Sequence, residues 1–91
     1  MMRVRIIKSE DCPTCKVYIP RIQSAGLPIE LFDGDADGNQ DLLDEWKIGM
    51  VDGVRAYPVV QIVSDDGKVL HQFPVGTFSP RAIRHKMRDL E

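Results

Sequence analysis

Residues 3–32 constrain the architecture most, because they read as a strand, a helix and a second strand in quick succession. "RVRIIK" (3–8) is dense in branched apolar residues, as in a strand buried on both faces. After Cys12, the residues Cys15, Ile19 and Ile22 fall at i, i+4 and i+7, the inner stripe of a helix that "AGLP" (25–28) ends. "IELF" (29–32) is then a short strand reached through a helical crossover, so it should lie parallel to the first. A chain that begins this way is committed to the α/β class.

The remainder completes one small domain over residues 1–91. The stretch 33–41 is rich in Asp and Gly and reads as loop, leading into "QDLLDEWKI", where Leu42, Leu43 and Trp46 should share a helical face. "VVQIV" (59–63) and "KVLHQF" (68–73) are strands joined by the hairpin signal "SDDG". Ser79-Pro80 supplies a cap and a proline at the first helical position, and Ile83, Met87 and Leu90 form the inner stripe of a closing helix. The order is βαβαββα, which predicts a four-stranded mixed central sheet flanked by helices. An apolar content of 43% over 91 residues suffices for a single core.

A net charge of −2 gives no electrostatic footprint for a nucleic acid. The charge is uneven: Asp33, Asp35, Asp37, Asp41, Asp44 and Glu45 form an acidic block, and Arg81, Arg84, Lys86 and Arg88 answer it near the end. Such blocks are ordinarily solvated faces. "MMRVRIIKSED" has no apolar core long enough for a signal peptide, and no run is long enough to span a membrane. The expectation is a cytoplasmic protein. A reducing compartment argues against a purely structural disulfide and favours reactive or metal-binding cysteines.

Cys12 and Cys15, in "EDCPTCKVYIP", are the only cysteines. Cys12 falls where the first strand hands over to the first helix, so unpaired backbone N–H groups and the positive end of the helix dipole favour its thiolate. Cys15 lies about one turn along, within reach of a mixed disulfide formed on Cys12. Pro13 suits a first turn, where a missing N–H is no loss. This predicts an exposed nucleophile, a shielded resolving thiol and a dithiol–disulfide exchanger. A zinc site needs four ligands and the motif supplies two; His71 and His85 have no ligand spacing to it. No metal and no cofactor beyond the redox-active pair is expected.

Three segments resemble the thioredoxin superfamily, and together they span nearly the whole chain. "CPTCKVYIP" resembles its active-site segment, with Lys16 after the second cysteine and a helix-kinking Pro20. "AYPVV" resembles the loop that carries a cis-proline. This makes Pro58 the cis candidate and Tyr57 the residue whose backbone meets an extended substrate. "DDGKVLHQFPVGTFSPRAI" resembles the closing hairpin and serine-capped helix, with Gly76 and Ser79 in the matching places. The resemblance implies the thioredoxin fold and the reduction of protein disulfides through Cys12 and Cys15. It implies substrate contacts at Pro13, Thr14, Tyr57, Pro58, Gly76 and Thr77.

The departures are specific. Asp11 stands where thioredoxins carry Trp, Pro13-Thr14 where they carry Gly-Pro, and Ile6 where they bury a carboxylate. Proline directly after the first cysteine is the glutaredoxin arrangement, and the length is that of a minimal glutaredoxin. Yet Ala56-Tyr57 and Gly76-Thr77 replace that family's glutathione-binding pairs. The reductant is therefore either glutathione or a flavoenzyme of the thioredoxin-reductase type. Glu10 and Asp11 oppose the helix dipole while Lys8 and Lys16 assist it, so Lys8, Asp11 and Lys16 are the expected thiol-tuning residues. The net effect predicts a less stabilised thiolate and a more reducing couple than in a glutaredoxin with neutral flanks.

"DGDADGNQDLLD" (33–44) also scans as a calcium loop. It follows a strand where an incoming helix is needed, and its twelfth position is Asp44, which is short for bidentate ligation. The competing expectation is a strand-to-helix loop whose Asp and Asn side chains cap the next helix. Two functional classes stand. One is a monomeric dithiol oxidoreductase serving protein disulfides, including a ribonucleotide reductase, with no nucleic-acid or membrane partner. The other is a non-catalytic module of the same fold that holds a metal or a partner through the same cysteines.

Overall fold

Strand β1 (Arg3–Lys8) lies inside a four-stranded sheet of order β2-β1-β5-β6, with β2 at Ile29–Asp33, β5 at Val59–Val63 and β6 at Val69–Phe73. The structure is a computed structural model that describes residues 2–10, 12–48, 50–51, 54–55, 57–73 and 78–91, with the backbone alone at 37, 50, 51, 54 and 55. β1 runs parallel to β2, with Ile6 beside Leu31, and antiparallel to β5, with Ile6 beside Val60. β5 and β6 form the antiparallel hairpin, with an irregularity between Ile62 and Val63. The mixed sheet follows the sequence expectation, including the parallel crossover through helix α1 (Pro13–Ser24).

Alternation along β1 feeds two cores. Val4 and Ile6 point to one face, where they meet Ile22 of α1, Val60 and Ile62 of β5, and Ile83 of helix α3 (Pro80–Leu90). Tyr18 and Phe78 close this side edge to face, with ring centroids 5.2 Å apart. Ile7 points to the other face, where Leu43, Ile48 and Val59 surround it and Phe32, Trp46 and Tyr57 lean against them. Helix α2 (Gln40–Glu45) supplies Leu43. Truncating a fully buried residue such as Ile6 to Ala costs about 2–5 kcal/mol.

Two expectations are corrected. Leu42 does not share the inner face of α2: it is exposed, while Leu43 is buried and Trp46 half-buried. Positions 43 and 46 stand three apart on one face, and Leu42 lies about 100° away from Leu43. The aspartate loop does not cap α2 through its side chains. A 3-10 turn at Asp37–Asn39 leads into the helix, and neither it nor α2 has a side-chain cap. Instead Asn39 Nδ2 donates to the Asp33 carbonyl at 2.7 Å, and Asp33 Oδ1 accepts from the Asp35 N–H at 2.9 Å. The structure also adds one element: Met50–Val51 (β3) and Val54–Arg55 (β4) form a small antiparallel pair.

One transverse row of the sheet is polar on all four strands. Glu30 pairs with Arg5, Arg5 with Gln61, and Gln61 with Gln72. Arg5 is only 7% exposed. Its guanidinium donates to Glu30 and to Gln61 Oε1, both at 3.5 Å, and lies 4.7 Å from the Trp46 ring centroid. Gln61 Nε2 completes the row with a 2.8 Å bond to Gln72 Oε1. Arg3 Nε donates to Glu30 at 2.9 Å, and this bond is the main reason the Glu30 carboxyl titrates below the ordinary range; the charge of Arg5 adds to it, and burial opposes it.

Because the folded value is the lower one, this stabilisation is full above the unfolded carboxylate range. It is lost as pH falls through the folded value. Glu30 is partly solvated, so screening keeps the effect small. Glu30→Gln should cost under about 1 kcal/mol at pH 7 in urea unfolding. The deficit should shrink as pH falls below the carboxylate range, whereas a deficit independent of pH would assign the effect to packing.

Candidate functional site

The CPTC motif sits where β1 gives way to α1, and Pro13 opens the helix because no intrahelical bond needs its N–H. Cys12 is the N-cap, in extended backbone (φ −107°, ψ 98°). Its Sγ accepts the Cys15 N–H at 3.1 Å, so sulfur takes the place that a Ser or Asp oxygen holds in an ordinary cap. The Lys16 N–H reaches the Cys12 carbonyl at 3.4 Å. Cys12 and Cys15 are joined as a disulfide, with Cα atoms 5.3 Å apart. Cys12 is 8% exposed and Cys15 3%, so the expected nucleophile is buried also, and is only the more accessible of the two.

The other residues expected at the site divide into three sets. Pro13, Thr14 and Lys16 are exposed on the first turn of α1, and Lys8 is half-buried at the end of β1. Pro58 is buried and Tyr57 half-buried, and the peptide bond between them is cis. The register that sets Ile7 against Val59 brings Pro58 to the end of the sheet where β1 runs toward Cys12. Asp11, Gly76 and Thr77 lie outside the described residues.

The geometry adds contacts that motif reading did not supply. Asp35 ties two loops together: its carboxylate accepts from Ser9 Oγ at 3.0 and 3.1 Å and from the Glu10 N–H at 2.8 Å. The loop after β2 is thereby fixed to the segment that delivers Cys12. Gly34 allows the Tyr57 ring to lie against the backbone, with Tyr57 Oη donating to the Gly34 carbonyl at 3.4 Å. A groove of about 410 Å³ also opens beside Cys15, lined by Lys8, Ser9, Glu10, Lys16, Ile19, Pro20 and Leu31. A glycine between two aspartates was the only local signal for any of this, and it does not specify a partner.

Among the described residues, no group of three or more His, Cys, Asp or Glu side chains is placed to hold a metal ion. The Asp35 carboxylate, central to the calcium-loop reading, is engaged by Ser9 and Glu10. His85 stands 3.7 Å from Asp89 on exposed helix. His71 lies on β6, where burial and then the charge of Lys86 hold its imidazole below the usual range. No described helix is long and apolar enough to cross a membrane.

Comparison with solved structures places this arrangement. Thioredoxin 1 from Thermosipho africanus superposes with a TM-score of 0.63 at 20% identity, covering 97% of each chain. A malaria-parasite thioredoxin-2, described as a component of protein secretion machinery, gives 0.67 at 14% identity over 98% of this chain and 82% of that one. A thio-disulfide isomerase from Thermus thermophilus gives 0.60 at 16% identity over 94% and 76%. The chain has the thioredoxin fold, with its cysteine pair at the start of the first helix. No protein-family model matches the sequence, and no curated protein matches it either.

The contact between Gly34 and Tyr57 is open to a direct test. A Cβ added at Gly34 would meet Tyr57 Oη at 2.5 Å and two ring carbons at 2.7 Å. Gly34→Ala should cost about 1–3 kcal/mol through forced movement of the ring. In a Tyr57→Ala background the same change should cost far less, as a double-mutant cycle in urea unfolding will measure.

Proposed function

We propose that the chain is a dithiol oxidoreductase that reduces protein disulfides. The observation that carries this reading is the Cys12 Sγ at the helix N-cap, accepting a backbone N–H. The group that caps as a sulfur acceptor would, when reduced, be stabilised as thiolate by the same N–H and by the helix dipole.

In the proposed cycle the Cys12 thiolate attacks one sulfur of a substrate disulfide. A mixed disulfide forms on Cys12, and the other substrate sulfur leaves as thiolate and takes a proton from water. Cys15 then loses its proton and attacks Cys12 Sγ, forming the Cys12–Cys15 bond and releasing the second substrate sulfur. Two electrons pass from the dithiol to the substrate. A flavoenzyme of the thioredoxin-reductase type, or glutathione, returns them. Exposed Pro13 and Thr14 flank the sulfurs, and Tyr57 and Pro58 lie at the same end of the sheet, which supports assigning these four to substrate contact. Gly76 and Thr77, outside the described residues, are assigned with them on the sequence resemblance alone. A cytoplasmic donor to reductive enzymes such as a ribonucleotide reductase fits this chemistry.

Cys12→Ser should bring insulin-disulfide reduction down to the uncatalysed background. Cys15→Ser should accumulate a mixed disulfide with the substrate, visible by mass spectrometry. Turnover by Cys15→Ser at the wild-type rate would reverse the roles. Offering the oxidised protein to NADPH with a thioredoxin reductase, and separately to glutathione, identifies the reductant.

A further inference from the structure

Strand β2 is an edge of the sheet, and its hydrogen-bonding parity is fixed by two bonds. The Pro28 carbonyl accepts from the Val4 N–H, and the Gly34 N–H donates to the Lys8 carbonyl. Even-numbered positions of this parallel strand therefore face β1, and Ile29, Leu31 and Asp33 turn their backbone groups outward. Asn39 covers the Asp33 carbonyl. Among the described residues, nothing pairs with the outward N–H and C=O of Ile29 and Leu31.

Edges of this kind are ordinarily blunted by lysine, proline or a bulge. The strand IELFD contains none of these, and Leu31 is 44% exposed. Its one inner charge, Glu30, is bound to Arg3 and Arg5. The Leu31 side chain also walls the groove that reaches Cys15, whose other apolar surfaces are Ile19 and Pro20. A strand laid against β2 would turn alternate side chains to the face that carries Leu31, and so into this groove. Lys8 and Lys16 outnumber Glu10 at its lining, which favours a carboxylate next to the inserted group.

We propose that the β2 edge and the groove beside Cys15 form a docking site for an extended segment of the disulfide-bearing partner. The segment adds as a further strand, with an aliphatic or aromatic side chain in the groove and an acidic residue beside it. The proposal deepens the oxidoreductase reading and rests on it for the identity of the partner.

Leu31→Pro is the sharp variant, because it deletes an outward N–H that no ladder bond uses. The ratio of kcat/KM for insulin to that for hydroxyethyl disulfide should fall about tenfold in Leu31→Pro, equivalent to about 1.4 kcal/mol of docking. Leu31→Ala keeps the donor and should lose less. A ratio within about twofold of wild type in folded Leu31→Pro would overturn the proposal. Hydrogen exchange decides the matter independently of that variant's folding. In a Cys15→Ser protein linked through Cys12 to insulin B chain bearing one activated cysteine, the Ile29 and Leu31 amides should exchange more slowly than in the unlinked protein. Unchanged exchange there, or protection in the unlinked protein that grows with concentration and marks a second copy on the edge, would overturn it. If the wild type reduces neither disulfide, the oxidoreductase reading fails, and amide protection still reports on docking.

Discussion

β1 is paired in opposite senses on its two sides, parallel to β2 and antiparallel to β5, and its side chains serve both cores at once. Such a strand has no solvent face, so its position in the sheet and the faces on which helices pack are settled together. Val4 and Ile6 demand cover from α1 and α3, and Ile7 demands it from α2 and the segment around Ile48. The C-terminal end of β1 is then the point from which a helix must begin, and the cysteines occupy its first turn.

The site uses this junction economically. A helix N-terminus leaves several N–H groups without intrahelical acceptors. Here proline removes one of them, and a cysteine side chain, rather than an oxygen, accepts another. Anchoring comes from the neighbouring loop, where Asp35 holds Ser9 and the Glu10 N–H. The segment that presents Cys12 is therefore restrained at the strand, at the helix and laterally, which suits the cycle proposed above, in which this sulfur meets a substrate and Cys15 in turn.

Elements with enough residues to show a period were legible in the sequence. β1, α1, β2, β5, β6 and α3 each carry a run or stripe, and Ser79 announces its helix as an N-cap whose Oγ accepts from the Ala82 N–H at 3.1 Å. Two-residue strands such as β3 and β4 cannot show alternation, although Asp52-Gly53 between two valines is a hairpin signal that could have marked them. Helix α2 has only six residues, too few for the stripe to separate Leu42 from Leu43. The bonds of Asp35 and the seat of Tyr57 on Gly34 span 25, 26 and 23 positions, and no local pattern encodes distances of that kind. The cysteine pair was legible as chemistry, while the burial of Cys12 depends on what the fold brings around it.

The polar row through Glu30, Arg5, Gln61 and Gln72 bears on an ambiguity that apolar side chains leave open. Alternation distinguishes a strand from its neighbour shifted by one residue, because such a slip exchanges the two faces. A slip of two residues restores the faces, and branched apolar side chains are nearly interchangeable in it. Moving β2 by two would set Pro28 or Phe32 beside Arg5, leaving a buried guanidinium without its carboxylate. Moving β5 likewise would set Val59 or Val63 there in place of Gln61. The row thus acts as a vernier on the sheet: hydrophobicity fixes the face, and one line of polar partners selects which of the equivalent alignments is the folded one.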